Sequence, residues 1–448
     1  MGGGTLQLVI FGGQDIHLTG NPEFSYFKTV YRRHTNFSME CIEQNRIGTI
    51  TTGDFSLNYV ISKSGDLLNK MHFEIDLPSQ AMTSSNSSGT NYCSYTNNTA
   101  YSYMKDVELF IGEKSIDKHD GKWYDIQNEL NHDNNDGLDY LVNKHSAGVT
   151  GNTSPPNVKL YIPLQFWFTK GDVSLSLPLI ALQYHDVKLK VNFRDIKKII
   201  NAKEDADEDD DDVLVTGNDR DNPQTPSIKL WSTYILLDVD ERKRFAQSSH
   251  EYLIEQVQKV EKSYSPKIDI SLNHPIKCLY WVIQNNVANT EKTDYKLIDN
   301  TKNTFGNDGL SESANRFKHG NDYLNFRPHE VVNPSYVKSL KQYEHFKEMT
   351  IMFNGIERFE HRDATYFRTI QPLEVGYTFP EKNIYIYSFC LKPEEIQPSG
   401  SCNFSRIDNL TFNFTGNQLY TGYTFNLYAK NYNILRIMGG MGGLLYSN

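Results

Sequence analysis

The chain has 448 residues, enough for two domains of roughly 200 residues that each bury a core of their own. Aromatic residues make up 12%, with 28 Tyr and 24 Phe, a composition that leans towards strands. A net charge of −10 argues against a coat that neutralises nucleic-acid phosphates directly. Eight of the acids behind it lie in one run, Glu204 to Asp212 (EDADEDDDD), so the remainder is close to neutral.

In chain order, residues 1–36 form an N-terminal anchoring segment, LQLVIFGGQDIHLTGNPEFSYFKTVYRRHTNF in its bulk. It is too short for a domain and too apolar for a free tail, so it is expected to pack against its own domain or a neighbour. MGGGTL is close to a myristoylation start, but Leu6 stands where the Ser or Thr belongs. There is no basic flank with an apolar stretch of the secretory type, and no apolar run reaches membrane-spanning length.

Short runs with period-2 or continuous apolar character follow. They fall at 37–46, 55–62, 67–77, 105–112, 158–168, 173–178, 184–194 and 228–238. A second series falls at 254–263, 267–272, 276–284, 347–354, 383–391, 396–400, 404–414 and 422–437. Brief helical patterning follows the same strand in each series, at Trp123 to Leu130 and Ala364 to Ile370. A short charged stretch near 241–255, RKRFAQSSHEYLIEQ, joins them. The predicted fold is all-β: two tandem eight-stranded antiparallel jelly rolls with short helices and long loops. The expected divisions are 1–36 for anchoring, 37–240 for the first jelly roll and 252–448 for the second.

Two internal matches support tandem copies. LFIGEKSIDKHDGKWY, ending at Tyr124, lies over IMFNGIERFEHRDATYF, ending at Phe367. This sets Gly112 on Gly355 and Asp120 on Asp363 at an offset of 243. LPLIALQYHDVKLKVNF, ending at Phe193, lies over PSGSCNFSRIDNLTFNF, ending at Phe414, at an offset of 221. Three insertions interrupt the pattern, at 78–104, 195–227 and 285–346. Connections in an antiparallel array alternate between its ends, and by the strand count all three fall on the same end. That polarity suits a wall component with an outside and an inside.

Catalytic and metal signatures are lacking. His250 opens an HExxH-like HEYLI, but Ile254 replaces the second His. A calcium-loop reading near Asp133 puts His132 and Asn143 where carboxylates belong. The five cysteines form no CxxC pair and read as reduced thiols. The acidic run reads as a solvated, self-repelling loop rather than a cation site. Arg32-Arg33 and Arg242-Lys243-Arg244 are short enough to be salt-bridge partners. No cofactor, metal or catalytic residue is expected. Among seven Asn-X-Ser/Thr sequons, Asn86 and Asn97 lie in a polar loop and are the plausible outward glycan acceptors, whereas Asn409 and Asn413 sit inside a strand pattern.

The opening LQLVIFGGQDIHLTGNPEFSYFKTVYRRHTNF, the middle LPLIALQYHDVKL, the joint ERKRFAQSSHEYLIEQ, then QPSGSCNFSRIDN and the ending YAKNYNILRIMGGMGGLLYSN resemble the major capsid proteins of nucleocytoplasmic large DNA viruses. Phycodnaviruses look nearest, with iridoviruses, marseilleviruses and mimivirus-like viruses as relatives. The resemblance runs from end to end, and the three insertions depart from it. It implies a double jelly roll whose homotrimer forms a pseudo-hexagonal capsomer in the icosahedral virion of a double-stranded DNA virus, assembled in host cytoplasm. The implied partners are neighbouring capsomers and, through residues 1–25, minor capsid proteins and the inner lipid membrane, with no direct nucleic-acid contact. Two other readings compete. A two-domain β-sandwich carbohydrate-binding or attachment protein would need a compact carboxylate or aromatic site. A cupin-like enzyme would need clustered His and carboxylate ligands, which this chain lacks.

Overall fold

Met71, Phe73, Ile75 and Leu77 are buried, while Lys70 is exposed and His72, Glu74 and Asp76 are half-buried. Period-2 burial of this kind makes a strand with one face turned into a core, and it recurs through most of the chain. The computed structural model describes all residues except 1, 11, 30, 80–91, 132–135, 145–148, 151–156, 204–223, 286–322, 325, 327–343, 381, 416–422 and 447–448. The described chain forms two compact units, Met1–Phe37 and Ser38–Asn448. The first holds two short helices, α1 (Gly3–Val9) and α2 (Ile16–Thr19), with no buried residue in either.

The first half carries β1 (Phe37–Gln44), β2 (Arg46–Ile47), β3 (Phe55–Val60), β4 (Leu67–Leu77), β5 (Tyr92–Tyr95), α3 (Thr99–Tyr103), β6 (Met104–Ile111) and β7 (Lys114–Asp120). It continues with α4 (Gly121–Leu130), α5 (Asp136–Leu141), β8 (Val149–Thr150), β9 (Val158–Pro163), β10 (Leu177–Pro178), β11 (Val187–Phe193), β12 (Ile200–Lys203) and β13 (Ser227–Leu237). A helix, α6 (Val239–Gln247), makes the join. The second half carries β14 (His250–Ser263), β15 (Lys267–Ile270), β16 (Pro275–Asn285), β17 (Glu348–Phe353), β18 (Ile356–Glu357), β19 (Arg362–Asp363) and α7 (Gln371–Glu374). It ends with β20 (Ile384–Ser388), β21 (Cys402–Asn403), β22 (Leu410–Thr415), β23 (Tyr423–Met438) and β24 (Met441–Leu444).

Sheet order repeats between the halves. In the first, β1-β13-β4-β10 packs against β3-β11-β6-β7, with β9 beside β4 and β2 beside β3. In the second, β14-β23-β16-β20 packs against β15-β22-β17-β18. Each half is therefore a jelly-roll sandwich, and the chain is a double jelly roll. Leu57, Phe73, Val107, Leu189 and Leu230 fill the first interior. Trp281, Phe367, Tyr385 and Phe412 fill the second, with ring centroids 5.4–5.9 Å from that of Trp281.

Several expected strands differ from those observed. The run 158–168 ends as a strand at Pro163 and turns into a 3-10 helix at Trp167–Thr169. Within 173–178, Val173–Leu175 is a 3-10 turn started by the Asp172 carboxylate, which accepts from Ser174 N, and only Leu177–Pro178 pairs. Residues 396–400 form no strand, and 404–414 begins with a 3-10 turn at Phe404–Arg406. The strand β7 was not anticipated, because its KSIDKHD sequence has little apolar character.

The two matched glycines occupy equivalent hairpins, one position out of step. Ile111 pairs with Lys114 around Gly112-Glu113, and Phe353 pairs with Ile356 around Asn354-Gly355. Asn354 (φ 49°) thus stands where Gly112 (φ 63°) does, and Gly355 (φ 84°) follows it. Beyond the turn the offset of 243 holds: Asp120 pairs with Asp106, and Asp363 with Glu348. In the second match, ladder register sets Lys188 opposite Phe110 and Thr411 opposite Met352, two residues from the sequence alignment. An even slip keeps every side chain on its own face, so the burial pattern survives it.

Candidate assembly site: the seam between the sandwiches

A sandwich strand normally buries one face. Three strands of the second half, β16, β20 and β23, bury both. In β16, Leu279, Trp281 and Ile283 enter the second core, while Cys278, Tyr280 and Val282 join the first. In β23, Phe425, Leu427 and Ala429 face one way and Tyr428 the other. The run IKCLYWVI is accordingly continuous rather than alternating, the mark of a strand covered on both sides.

The first half presents α4 to this sheet. Asp120 caps the helix by accepting from Trp123 N at 2.9 Å. Its carboxylate also accepts from Tyr428 OH at 2.8 and 3.0 Å and pairs with Lys259 at 3.0 Å. Burial raises the pKa of Asp120, but Lys259 and Lys122 outweigh it and hold the group below its usual range. One turn along, Trp123 packs its ring against Tyr280 and Tyr428, with centroids 5.3 and 5.6 Å apart. Asp125, fully buried, takes Lys382 Nζ at 2.6 and 2.8 Å. At the C-terminus, where carbonyls lack helical partners, Thr378 supplies its N–H to Leu130 O at 2.9 Å. Its hydroxyl also reaches Glu129 O and Leu130 O. The helix is a peg held along its length.

Beside the peg lies an ionic cluster. Glu255 meets Lys170 of the first half at 2.6 Å, Lys430 at 3.4 Å and Lys277 in a short contact. Lys430 also meets Glu394 at 2.9 Å. Burial acts to raise both carboxyls, but Lys430 and Lys170 prevail. They hold Glu255 far below the usual carboxylate range and bring Glu394 down to about 2. The C-terminal hairpin closes the seam: Gly440 O accepts from Tyr184 N at 3.0 Å, and His185 Nδ1 lies 3.0 Å from Gly442 O. Sequence reasoning used Asp120 and Trp123 as repeat markers and did not assign them to a contact. The polar partners Lys259, Lys382 and Lys430 carried no signal of their own.

The flanks of the three insertions converge. Tyr92–Tyr95 of the first pairs with Ile200–Lys203 of the second, in antiparallel register from Tyr95 with Ile200. Arg194 at the edge of the second stacks over the ring of Tyr323 in the third, 4.4 Å from its centroid. The acidic run and Asn86 lie outside the described residues. Asn97 is half-buried in the turn before α3, and the hydroxyl of its sequon residue Thr99 is buried and donates to Thr96 O at 2.7 Å. Arg242 pairs with Asp66 at 3.0 Å, the role expected of a short basic cluster. Cys41, Cys278, Cys390 and Cys402 are free thiols. Among the described residues no cluster of His, Cys, Asp and Glu is arranged to hold a metal. No described helix is long and apolar enough to cross a membrane.

Comparison with known proteins agrees with this architecture. Residues 25–238 match the family described as major capsid protein N-terminus, and residues 241–443 match the large eukaryotic DNA virus major capsid protein. The chain is 39% identical to the major capsid protein of Pyramimonas orientalis virus, with all of both chains covered. It is 35% identical to that of Paramecium bursaria Chlorella virus 1, again over all of both. It superposes on a chain of the quasi-atomic capsid of the latter virus with a TM-score of 0.69 and 31% identity, covering 95% of this chain and all of that one. The Faustovirus major capsid protein, at 12% identity, shares the fold with a TM-score of 0.69. The two-sandwich body and full-length identity lead to one conclusion: the chain belongs to the major capsid proteins of large eukaryotic DNA viruses.

Proposed function

We propose that three copies of this chain associate around a threefold axis into a pseudo-hexagonal capsomer, and that these capsomers tile the icosahedral shell of a large double-stranded DNA virus. One observation carries the reading: the α4 peg and the ionic cluster make the two similar sandwiches one compact body. A chain with two similar lobes, taken three times, supplies the six lobes that a hexagonal lattice needs. The role is structural rather than catalytic, and no direct nucleic-acid contact is required.

Exposed apolar side chains on the sandwiches are candidate subunit contacts, among them Ile356, Leu373, Phe379 and Leu391. Subunit interfaces should exceed the roughly 1,000 Å² that marks a biological contact. In the N-terminal unit Leu6, Leu8, Val9 and Ile10 are exposed. Residues 1–25 are assigned to minor capsid proteins or the inner lipid layer. The convergent insertions are assigned to the outer surface, with Asn86 and Asn97 as the glycan acceptors and the first jelly roll at 37–240 preceding the second at 252–448.

Native mass spectrometry tests the reading directly. A stable species with the mass of three 51.6 kDa chains is expected. A monomer at micromolar concentration in mild buffer overturns it and favours the attachment-protein alternative.

A further inference from the structure

Between the two sandwiches lies a cleft of about 570 Å³. Its walls carry five cations, Lys105, Lys118, Lys122, Arg194 and Lys259, against three carboxylates, Asp106, Asp120 and Glu261. Most of these charges are accounted for. Lys259 bridges Asp120 at 3.0 Å and Glu261 at 3.1 Å, and Lys118 lies 3.6 Å from Asp106. Arg194 donates to Ser102 O and covers the ring of Tyr323.

Lys105 is exposed to solvent, which leaves Lys122 as the buried exception. It is 7% exposed, it lines the cleft, and among the described residues it makes no hydrogen bond or ion pair. It opens only into the cleft, and the longer-range attraction of Asp120 and Glu261 offsets only part of the cost of covering its charge. Its place in the first turn of α4 adds to the cost, because the N-terminal end of a helix dipole repels a cation and attracts an anion. Burial pushes Lys122 down to about 8, only partly opposed by Asp120. The walls hold two more cations than anions, the carboxylates Asp106, Asp120 and Glu261 are already engaged by Lys118 and Lys259, and the cationic groups are donors of the kind that phosphate oxygens accept.

We propose that this cleft is a binding site for a phosphate-type polyanion, held by Lys122 and Arg194 from the first sandwich and Lys259 from the second. Such an anion supplies Lys122 with the direct partner it lacks among the described residues. It also ties the sandwiches together at the helix that pegs them, so its binding stabilises the body as a whole. The volume accommodates more than a single phosphate, which favours a polyphosphate over the orthophosphate ion.

The test uses the full chain with sodium tripolyphosphate and, separately, inorganic phosphate, followed by calorimetry and thermal unfolding. Tripolyphosphate is expected to bind saturably at one site per chain and to raise the melting temperature with dose, more than inorganic phosphate does. Lys122→Gln should weaken binding at least tenfold. Lys105→Glu, at an exposed position on the rim, should weaken it without risk to the fold, and Lys392→Gln, exposed and elsewhere, should leave it unchanged. Displacement of bound tripolyphosphate by phosphoinositide vesicles would assign the natural ligand to a lipid headgroup, and failure to displace it would assign a soluble polyphosphate. Two results overturn the proposal. One is affinity unchanged in folded Lys122→Gln and Lys105→Glu. The other is binding seen only after the eight acids of 204–212 are replaced by Asn and Gln, which would make that run the natural occupant.

Discussion

Tyr428 donates its hydroxyl to both oxygens of Asp120, 308 positions away in the chain. Asp120 at the same time caps α4 and pairs with Lys259, so one carboxylate ends a helix, satisfies a buried phenol and neutralises a lysine. Its counterpart in the repeat, Asp363, is exposed, accepts from Thr365 N at 2.8 Å and, among the described residues, meets no side chain of the first sandwich. The copies keep the local turn and differ in what is built on it.

That difference predicts unequal costs for the same substitution. Asp120→Ala removes a cap and leaves Lys259 and Tyr428 without their acceptor, a loss of about 2–4 kcal/mol. Asp363→Ala removes only the local turn, about 1 kcal/mol. Urea unfolding of both variants measures the pair. Equal losses would show that Asp120 does no more than start a helix.

The ionic cluster sets an acid limit on stability. Glu255 and Glu394 are held below their ordinary range in the folded protein, where Lys430 and Lys170 overcome the effect of burial. A carboxyl depressed by folding contributes stability above its unfolded pKa, about 4.3, and loses it as the pH falls through the folded value. The loss should therefore begin below about pH 4.5 and continue towards pH 2, the value to which Glu394 is brought. Melting temperature against pH should drop over that window, and Glu394→Gln should flatten the drop while lowering the plateau at pH 7. A variant with the wild-type slope would remove the cluster from the account.

The C-terminal Gly-Gly turn makes a third case. Gly439 (φ 60°) and Gly440 (φ 82°) both lie where only glycine is unstrained. A Cβ on Gly439 meets nothing within 4 Å, whereas one on Gly440 would stand 2.6 Å from the Tyr184 ring. Gly439→Ala should cost about 1 kcal/mol from backbone strain alone. Gly440→Ala should cost more, about 2 kcal/mol, since the exposed Tyr184 ring must also turn aside. Chemical denaturation of the two variants decides, and equal costs would mean that the ring yields freely.

Several strands and the repeated hairpin of Gly112 and Gly355 were legible because their signals are local. Alternation marked β4, β11 and β13, and the paired repeats located the hairpins of Gly112 and Gly355 to within one residue. The one-residue error arose because Asn tolerates the left-handed conformation, so Asn354 could take the place of a glycine. The strand β7 escaped because a strand facing a polar seam need not alternate. The seam itself was not readable for a stronger reason. Lys170, Lys259 and Lys382 look like solvent-facing lysines in sequence, and their partners Glu255, Asp120 and Asp125 are fixed only by the docking of one sandwich on the other.

The pairing of Lys382 with Asp125 tests whether charge or burial holds that docking together. Asp125 is fully buried on α4 and Lys382 is largely covered, with Nζ 2.6 and 2.8 Å from the two carboxylate oxygens. Lys382→Met leaves a carboxylate in a dry seam without its cation, so it should cost about 3–5 kcal/mol. Asp125→Asn alone leaves the ammonium partly solvated and should cost less. Two charges taken from water together repay much of their own desolvation and little more, so the double variant should recover most of the stability lost by Lys382→Met. A double-mutant cycle read by urea denaturation gives the coupling directly. If the double variant is as unstable as the sum of the singles, the seam depends on each residue for shape rather than on their mutual charge. The weight of docking would then rest on Trp123 against Tyr280 and Tyr428.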